Sequence, residues 1–410
     1  MNQAAAASAQ STDAYIALNN RYGANNYSPL DVVLCRGEGA FVWDVDGNRY
    51  TDMLSAYSAL NQGHCHPRLV RTMQEQCAQL TLTSRAFHND KLPAMLEKIA
   101  TLSGFERVLP MNTGAEAVET AIKCMRRWGY MRKGVAANQA EIIVVDDNFH
   151  GRTTTIVGFS SDPDARDGFG PAMPGFKRVP FGNTAALEAA ITPNTVGVLI
   201  EPIQGEAGVK LPPDGYLASV RDLCTRHNVI YCLDEIQTGL GRTGRMFCFE
   251  HSGVRPDMIV LGKALSGGFY PVSCMCTSEA IMSVFTPGSH GSTFGGSPLA
   301  AALSVEALDI LIDEKLPERA ARLGAHMLHR LRGGLTNADI VDIRGLGLLL
   351  AVEYRTPVAK AYCKQLKKRG LLAKDTHHTT IRFAPPLVIH DADMDAAIDL
   401  ILDVLNQPLG

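Results

Sequence analysis

Residues 229–239 read VIYCLDEIQTG. Val229 to Leu233 form an unbroken apolar run, and Asp234, Glu235 and Gln237 follow at once. A strand with one face in water alternates apolar and polar residues; a continuous run of this length marks a strand covered on both faces. Its polar residues then fall at the carboxyl edge of a sheet, where doubly wound folds bind ligands.

The same pattern repeats outward from this stretch. VGVLIEP (196–202) ends on Glu201, and DMIVLGKALSGG (257–268) places Lys263 just beyond its apolar run. Ile142–Asp146 and Val272–Thr277 are similar, so all five segments read as buried strands of a parallel sheet. Segments with helical spacing lie between them: Glu116–Met131, Thr184–Ala190 and Tyr216–His227. Strand–helix alternation of this kind predicts an α/β fold with right-handed crossovers. The flanks differ. Ala40–Tyr50 reads as a hairpin around Asp46-Gly47. A long helix is expected at Pro298–Asp313, then strands at Leu346–Glu353 and Thr380–Phe383. Residues 56–305 are expected to form a large domain. Residues 1–55 and 306–410 are expected to combine in a smaller α+β domain.

Bulk properties narrow the function. The chain has 410 residues, 46% hydrophobic and 20% charged, a globular balance. A formal net charge of −3 gives no general attraction to nucleic acid or anionic membrane. No apolar stretch approaches the ~20 residues of a membrane span. No Lys or Arg precedes Arg21 and no hydrophobic core is present there, which argues against a targeting signal and favours a cytoplasmic location. The ten cysteines are scattered without a C-x-x-C and read as buried thiols of a reducing compartment. His64-Cys65-His66 is too tight for one ion without further ligands and reads as a turn before Pro67; no metal is expected.

A single acid after a strand usually caps a helix. Acids and a lysine at the ends of several strands suggest a site instead. A partly desolvated lysine is more easily deprotonated and can act as an imine-forming nucleophile. An ionised Asp234 complements it by keeping a pyridine nitrogen protonated. Asn112 to Ala117 (NTGAEA) open a helix whose free N–H groups would favour a phosphate, although a plain capped helix start reads the same way. It is not a Walker loop, because no Gly-Lys-Ser/Thr ending follows.

These residues carry a family resemblance over nearly the whole chain. VLPMNTGAEAVETAIK (108–123), NFHGRT (148–153), EPIQGEAGV (201–209), LDEIQTGLGRTG (233–244), LGKALSGGFYPVS (261–273), HGSTFGG (290–296) and IRFAPPLVI (381–389) resemble the class III (fold type I) aminotransferases, and among these the ornithine aminotransferases most. The resemblance implies a mainly parallel, seven-stranded-type sheet and pyridoxal 5'-phosphate as cofactor. It makes Lys263 the Schiff-base lysine and Asp234 the partner of the pyridine nitrogen. Gln237 would bond the cofactor's phenolic oxygen, and Phe149 would stack on its ring. Thr113, Gly114 and Ala115 would hold the phosphate. Ser292 and Thr293 would reach it from a neighbouring subunit, so a homodimer is expected. Glu206 and Arg382 match a pair that lets one site accept first a diamine acid and then 2-oxoglutarate: Glu206 neutralises Arg382 for the first and releases it for the second. Arg152, Tyr27 and Tyr57 would orient the substrate. His150 belongs with the cofactor-binding residues but is expected to stay clear of the chemistry; it stands where ornithine enzymes often carry a larger aromatic. Ser297 replaces a more usual Asn. The implied reaction is transfer of the δ-amine of L-ornithine to 2-oxoglutarate. N-acetylornithine and 4-aminobutyrate are alternative donors, and a racemase, mutase, decarboxylase or silent binding protein are more distant rivals.

Overall fold

The computed structural model describes residues 11–409. Its centre is a seven-stranded sheet. Across the sheet the strands run Arg107–Met111, Ser273–Thr277, Met258–Leu261, Ile230–Asp234, Thr195–Ile200, Glu141–Val145 and Phe176–Val179. Every residue of Thr195–Ile200, Ile230–Asp234 and Met258–Leu261 is buried, as their unbroken apolar runs demand. The chain moves outward from Glu141–Val145 to the edge strand Phe176–Val179, then returns through Thr195–Ile200 toward the other edge. The order therefore reverses between the strands ending at Val145 and Ile200, and this is where such sheets open a crevice.

Two sequence expectations need correction, and two strands escaped the sequence reading. Ser273–Thr277 pairs antiparallel with both neighbours, so the sheet is mixed. A buried strand reads as the same apolar run in either direction, because periodicity reports coverage and not polarity. The strand expected at Leu346–Glu353 is interrupted: Ile340–Leu346 and Leu349–Tyr354 form a hairpin that turns at Gly347, whose φ is +56°. Arg107–Met111 and Phe176–Val179 are strands that the composition did not mark, the first because it contains a proline and the second because it reads FKRV with two cations.

The hairpin strands Phe41–Asp44 and Arg49–Asp52 belong to a second sheet with Leu34–Glu38, and Leu371–Leu372 extends it in parallel beside Arg49–Asp52. The N-terminal and C-terminal parts of the chain thus share a sheet. A third, antiparallel sheet carries Thr380–Phe383 between Leu349–Tyr354 and Lys374–Thr376. The helix Pro298–Asp313 falls where expected, capped by Ser297, whose hydroxyl accepts from Ala300 N at 3.2 Å. Serine does here what asparagine does at an N-cap. His64 bonds Asp52 (2.7 Å) and His66 bonds Glu314 (3.0 Å). Cys35, Cys65 and Cys77 are exposed and the other seven cysteines are buried. No helix among the described residues is long and apolar enough to cross a membrane.

Candidate active site

A cavity of ≈190 Å³ opens at the reversal of strand order, and Asp234, Glu201 and Lys263 line it from three strand ends. It continues outward into a second cavity of ≈470 Å³ that shares Phe149, His150, Gly151 and Glu206. The inner chamber alone falls below the 300–1,000 Å³ typical of ligand sites, whereas the two together lie within it.

The inner chamber is built around Asp234. One carboxylate oxygen accepts from Ile236 N (3.0 Å) and the other from His150 Nδ1 (2.7 Å). This overturns the expectation that His150 stays clear of the chemistry. The ring is buried, its tautomer is directed by Asp234, and its Nε2 has no hydrogen-bond partner among the described residues. Glu201 is also in the chamber, a role the sequence reading did not give it. Burial first, and the charge of Asp234 second, push its carboxyl well above the ordinary value. A carboxyl buried beside another carboxylate is costly to ionise, so Glu201 favours its neutral form. Glu201 also accepts from Phe149 N at 2.9 Å and so fixes the Phe149–His150 segment.

Lys263 starts a short 3-10 turn directly after Met258–Leu261, with φ +45°. It keeps some accessible surface where it lines the chamber, yet burial lowers its amine below the ordinary lysine value, against the opposing charges of Glu206 and Asp234. A lowered pKa makes the neutral, nucleophilic amine available at lower pH.

The opposite end of the chamber is the start of the helix Gly114–Trp128. Thr113 caps it in a reciprocal box: its N–H donates to Glu116 Oε2 (2.7 Å) and its hydroxyl accepts from Glu116 N (3.3 Å). Thr113 is therefore occupied as a cap, while Gly114 and Ala115 line the cavity. A Cβ on Gly114 would stand 3.0 Å from Ile236 Cδ1, tighter than ordinary packing, so glycine keeps this helix start uncrowded. Ser292 lies beside the same helix start, accepting from Asn112 Nδ2 at 2.7 Å. Thr293 is exposed.

The wall toward the outer chamber carries the second charge pair. Arg382, only 2% exposed, donates to Glu206 Oε1 (2.7 Å) and to Gly205 O (3.1 Å). Glu206 responds to two opposing effects. Burial raises its carboxyl, but Arg382 and Lys263 outweigh it and hold it below the ordinary value. Gln237 Nε2 joins them, donating to Glu206 Oε1 (3.2 Å) and to Tyr57 O (3.3 Å). Tyr57 places its ring 5.5 Å from the Arg382 guanidinium. Two expected substrate residues sit further out. Arg152 is exposed, lines the outer chamber and lies 5.6 Å from the Phe149 ring centre. Tyr27 is 71% exposed and lines neither chamber. Ile203 and Ile236 supply apolar walls that the sequence reading omitted. Both follow a strand-end acid within two residues, and that position could have marked them.

The family model for class III aminotransferases matches residues 22–405. An ornithine aminotransferase of Geobacillus sp. (strain WCH70) is 55% identical over 96% of this chain and 98% of its own length. The solved ornithine aminotransferase of Toxoplasma gondii, described with pyridoxal phosphate at partial occupancy, superposes with a TM-score of 0.96 at 43% identity, covering 97% of this chain and 95% of that one. An acetylornithine aminotransferase from Elizabethkingia anophelis superposes with a TM-score of 0.88 at 46% identity, covering 97% and 99%.

Proposed function

The chain belongs to the class III aminotransferases, and we propose that it moves the δ-amine of L-ornithine to 2-oxoglutarate, giving glutamate 5-semialdehyde and glutamate. The observation that carries this reading is the Glu206–Arg382 pair at 2.7 Å, whose Glu206 lines the same chamber as Lys263. A site that takes a cationic donor and then a dianionic acceptor needs a positive charge it can mask, and a fixed arginine alone would reject the donor.

The residues fit pyridoxal 5'-phosphate. The chamber offers a buried carboxylate oriented by His150, a helix start bare of side chains at Gly114, and a lysine whose amine burial favours as neutral. When bound, the cofactor supplies a carbonyl carbon for the amine and a protonated ring that withdraws electrons. Asp234 would accept from the protonated ring nitrogen, with His150 holding Asp234 in place. Gly114 and Ala115 would offer N–H groups to the phosphate, and Phe149 would cover the ring. Gln237 is set to bond the phenolic oxygen. Lys263 Nζ takes the proton from the substrate's amine-bearing carbon and returns it on the other side of the transfer. In the donor half-reaction Glu206 keeps Arg382 neutralised, and Tyr57 and Tyr27 orient the distal amino-acid group, while Arg152 serves to hold the other carboxylate. In the acceptor half-reaction Glu206 turns away and Arg382 takes a carboxylate bidentately.

The working unit is a homodimer in the cytoplasm, with Ser292 and Thr293 completing a partner's phosphate site. Supporting this, Phe87 (72%) and Phe294 (47%) are exposed, each two residues before one partner of the Asn89–Gly296 hydrogen bond. In this reading residues 56–305 form the cofactor-binding unit, and 1–55 with 306–410 the smaller one that brings Arg382.

The test is a single-turnover panel of ornithine, N-acetylornithine and 4-aminobutyrate, followed through the cofactor's absorbance. Ornithine should react fastest, and Lys263→Ala should abolish the reaction. Faster turnover of either competitor would reject ornithine as the donor.

A further inference from the structure

Arg242 is fully buried and takes no part in the site described above. Its guanidinium donates from Nη1 to Leu348 O (2.8 Å) and Pro385 O (2.6 Å), and from Nη2 to Asn61 Oδ1 (2.5 Å) and Ser55 Oγ (3.2 Å). None of these acceptors is a carboxylate. Burial draws its pKa down to about 9, so the fold holds this cation at a cost. An apolar side chain there would leave these buried acceptors without this donor, so what the guanidinium joins is informative.

It joins segments far apart in the chain. Leu348 sits in the hairpin turn of the C-terminal sheet, and Pro385 follows Arg382 by three residues. Ser55 and Asn61 bracket the turn that carries Tyr57. That turn is strained: Ser55, Ala56, Tyr57 and Ser58 have φ values of +46°, +49°, +59° and +69°. Four consecutive residues with side chains in the left-handed region persist only where the surroundings over-determine them. Asp52 helps by accepting from Leu54 N (2.9 Å) and Ser55 N (2.8 Å), and Ser55 Oγ donates to Ala384 O (2.6 Å). The consequence is the placement of Tyr57, ring on Arg382 and carbonyl on Gln237.

We propose that Arg242 is a positioning residue for donor discrimination: by tying Ser55 and Asn61 to Leu348 and Pro385 it holds the left-handed turn closed and Tyr57 against Arg382. Tyr57 then favours a donor with an α-amine and α-carboxylate over one without. This rests on the reading of Tyr57 and Arg382 as substrate residues.

Two variants test it in the holoenzyme. Arg242→Lys keeps the charge but loses the planar fork that spans four acceptors. Ser55→Ala removes one acceptor and leaves the cation in place. The readouts are the cofactor absorbance band and the ratio of kcat/KM for ornithine over 4-aminobutyrate. With the band unchanged, the ratio should fall about tenfold in Arg242→Lys, as for the loss of one hydrogen bond to a charged group, and less in Ser55→Ala. The fall should come mainly from a higher KM for ornithine. If Arg242→Lys does not fold, Ser55→Ala decides alone. Folded, cofactor-loaded variants that keep the wild-type ratio would overturn the inference. A wild-type protein that itself prefers 4-aminobutyrate would instead overturn the functional reading.

Discussion

Glu206→Gln isolates the charge of the proposed switch from its shape. Glutamine keeps an oxygen where Glu206 Oε1 now accepts from Arg382 at 2.7 Å, so the contact survives and only the charge is lost. Arg382 is 2% exposed, and the Glu206 side chain is 26% exposed toward the cavity. The attraction between opposite unit charges a few ångströms apart is about 1 kcal/mol in water and about 4 kcal/mol at an effective dielectric of about 20, a factor of about 5 to 1,000 in an equilibrium. Water in the cavity replaces part of the lost interaction, so the lower end applies. Uncovered, Arg382 should repel a cationic donor and attract a dianionic acceptor. The ornithine half-reaction should therefore slow by about tenfold in kcat/KM, while the KM for 2-oxoglutarate falls by a similar factor. Rapid-mixing measurement of each half-reaction, through the absorbance of the two cofactor forms, reads them separately. Equal losses in both halves would mean that the substitution damaged the site generally, and no change in either would remove Glu206 from the switch. The pH dependence has a definite sign. The Glu206 carboxyl lies below the ordinary value, so the pair's contribution is present above the usual carboxylate range and is lost as pH falls through the lowered value. The donor preference of the wild type should hold down to pH values where an ordinary glutamate is already protonated.

Two further outcomes follow from the backbone. Ala56→Gly should raise the unfolding free energy by about 0.5–1 kcal/mol, read from a higher denaturant midpoint, because glycine reaches φ +49° without the steric cost that alanine bears; a loss of stability would show that the turn is unstrained. Gly205→Ala would put a Cβ into the Gln237 amide, so Gln237 must move. Cofactor affinity, titrated by absorbance, should fall about tenfold for one lost hydrogen bond to a charged group, whereas an unchanged Kd would remove Gln237 from the cofactor's contacts.

Much of the site was legible in the sequence because its chemistry sits at fixed short offsets from strands. Asp234, Gln237 and Lys263 each lie within four residues of a buried apolar run, so local patterning places them at one sheet edge. The helix start at Thr113–Glu116 is likewise a local signal, a capping box within four residues. The family resemblance added the pairing of Glu206 with Arg382, which patterning alone does not yield.

Tertiary structure decided what depends on contacts between distant segments. His150 meets Asp234 across 84 residues, and Arg242 reaches Ser55 across 187. The direction of Ser273–Thr277 and the position of the turn at Gly347 were open for the same reason. Hydrophobic periodicity reports that a face is covered, not which face covers it. The sequence by itself determined the covered strands, the polar groups at their ends and the family. Only the packing of the layers decided which of those groups touch, and so how Lys263, Asp234, Glu201 and His150 come to line one cavity.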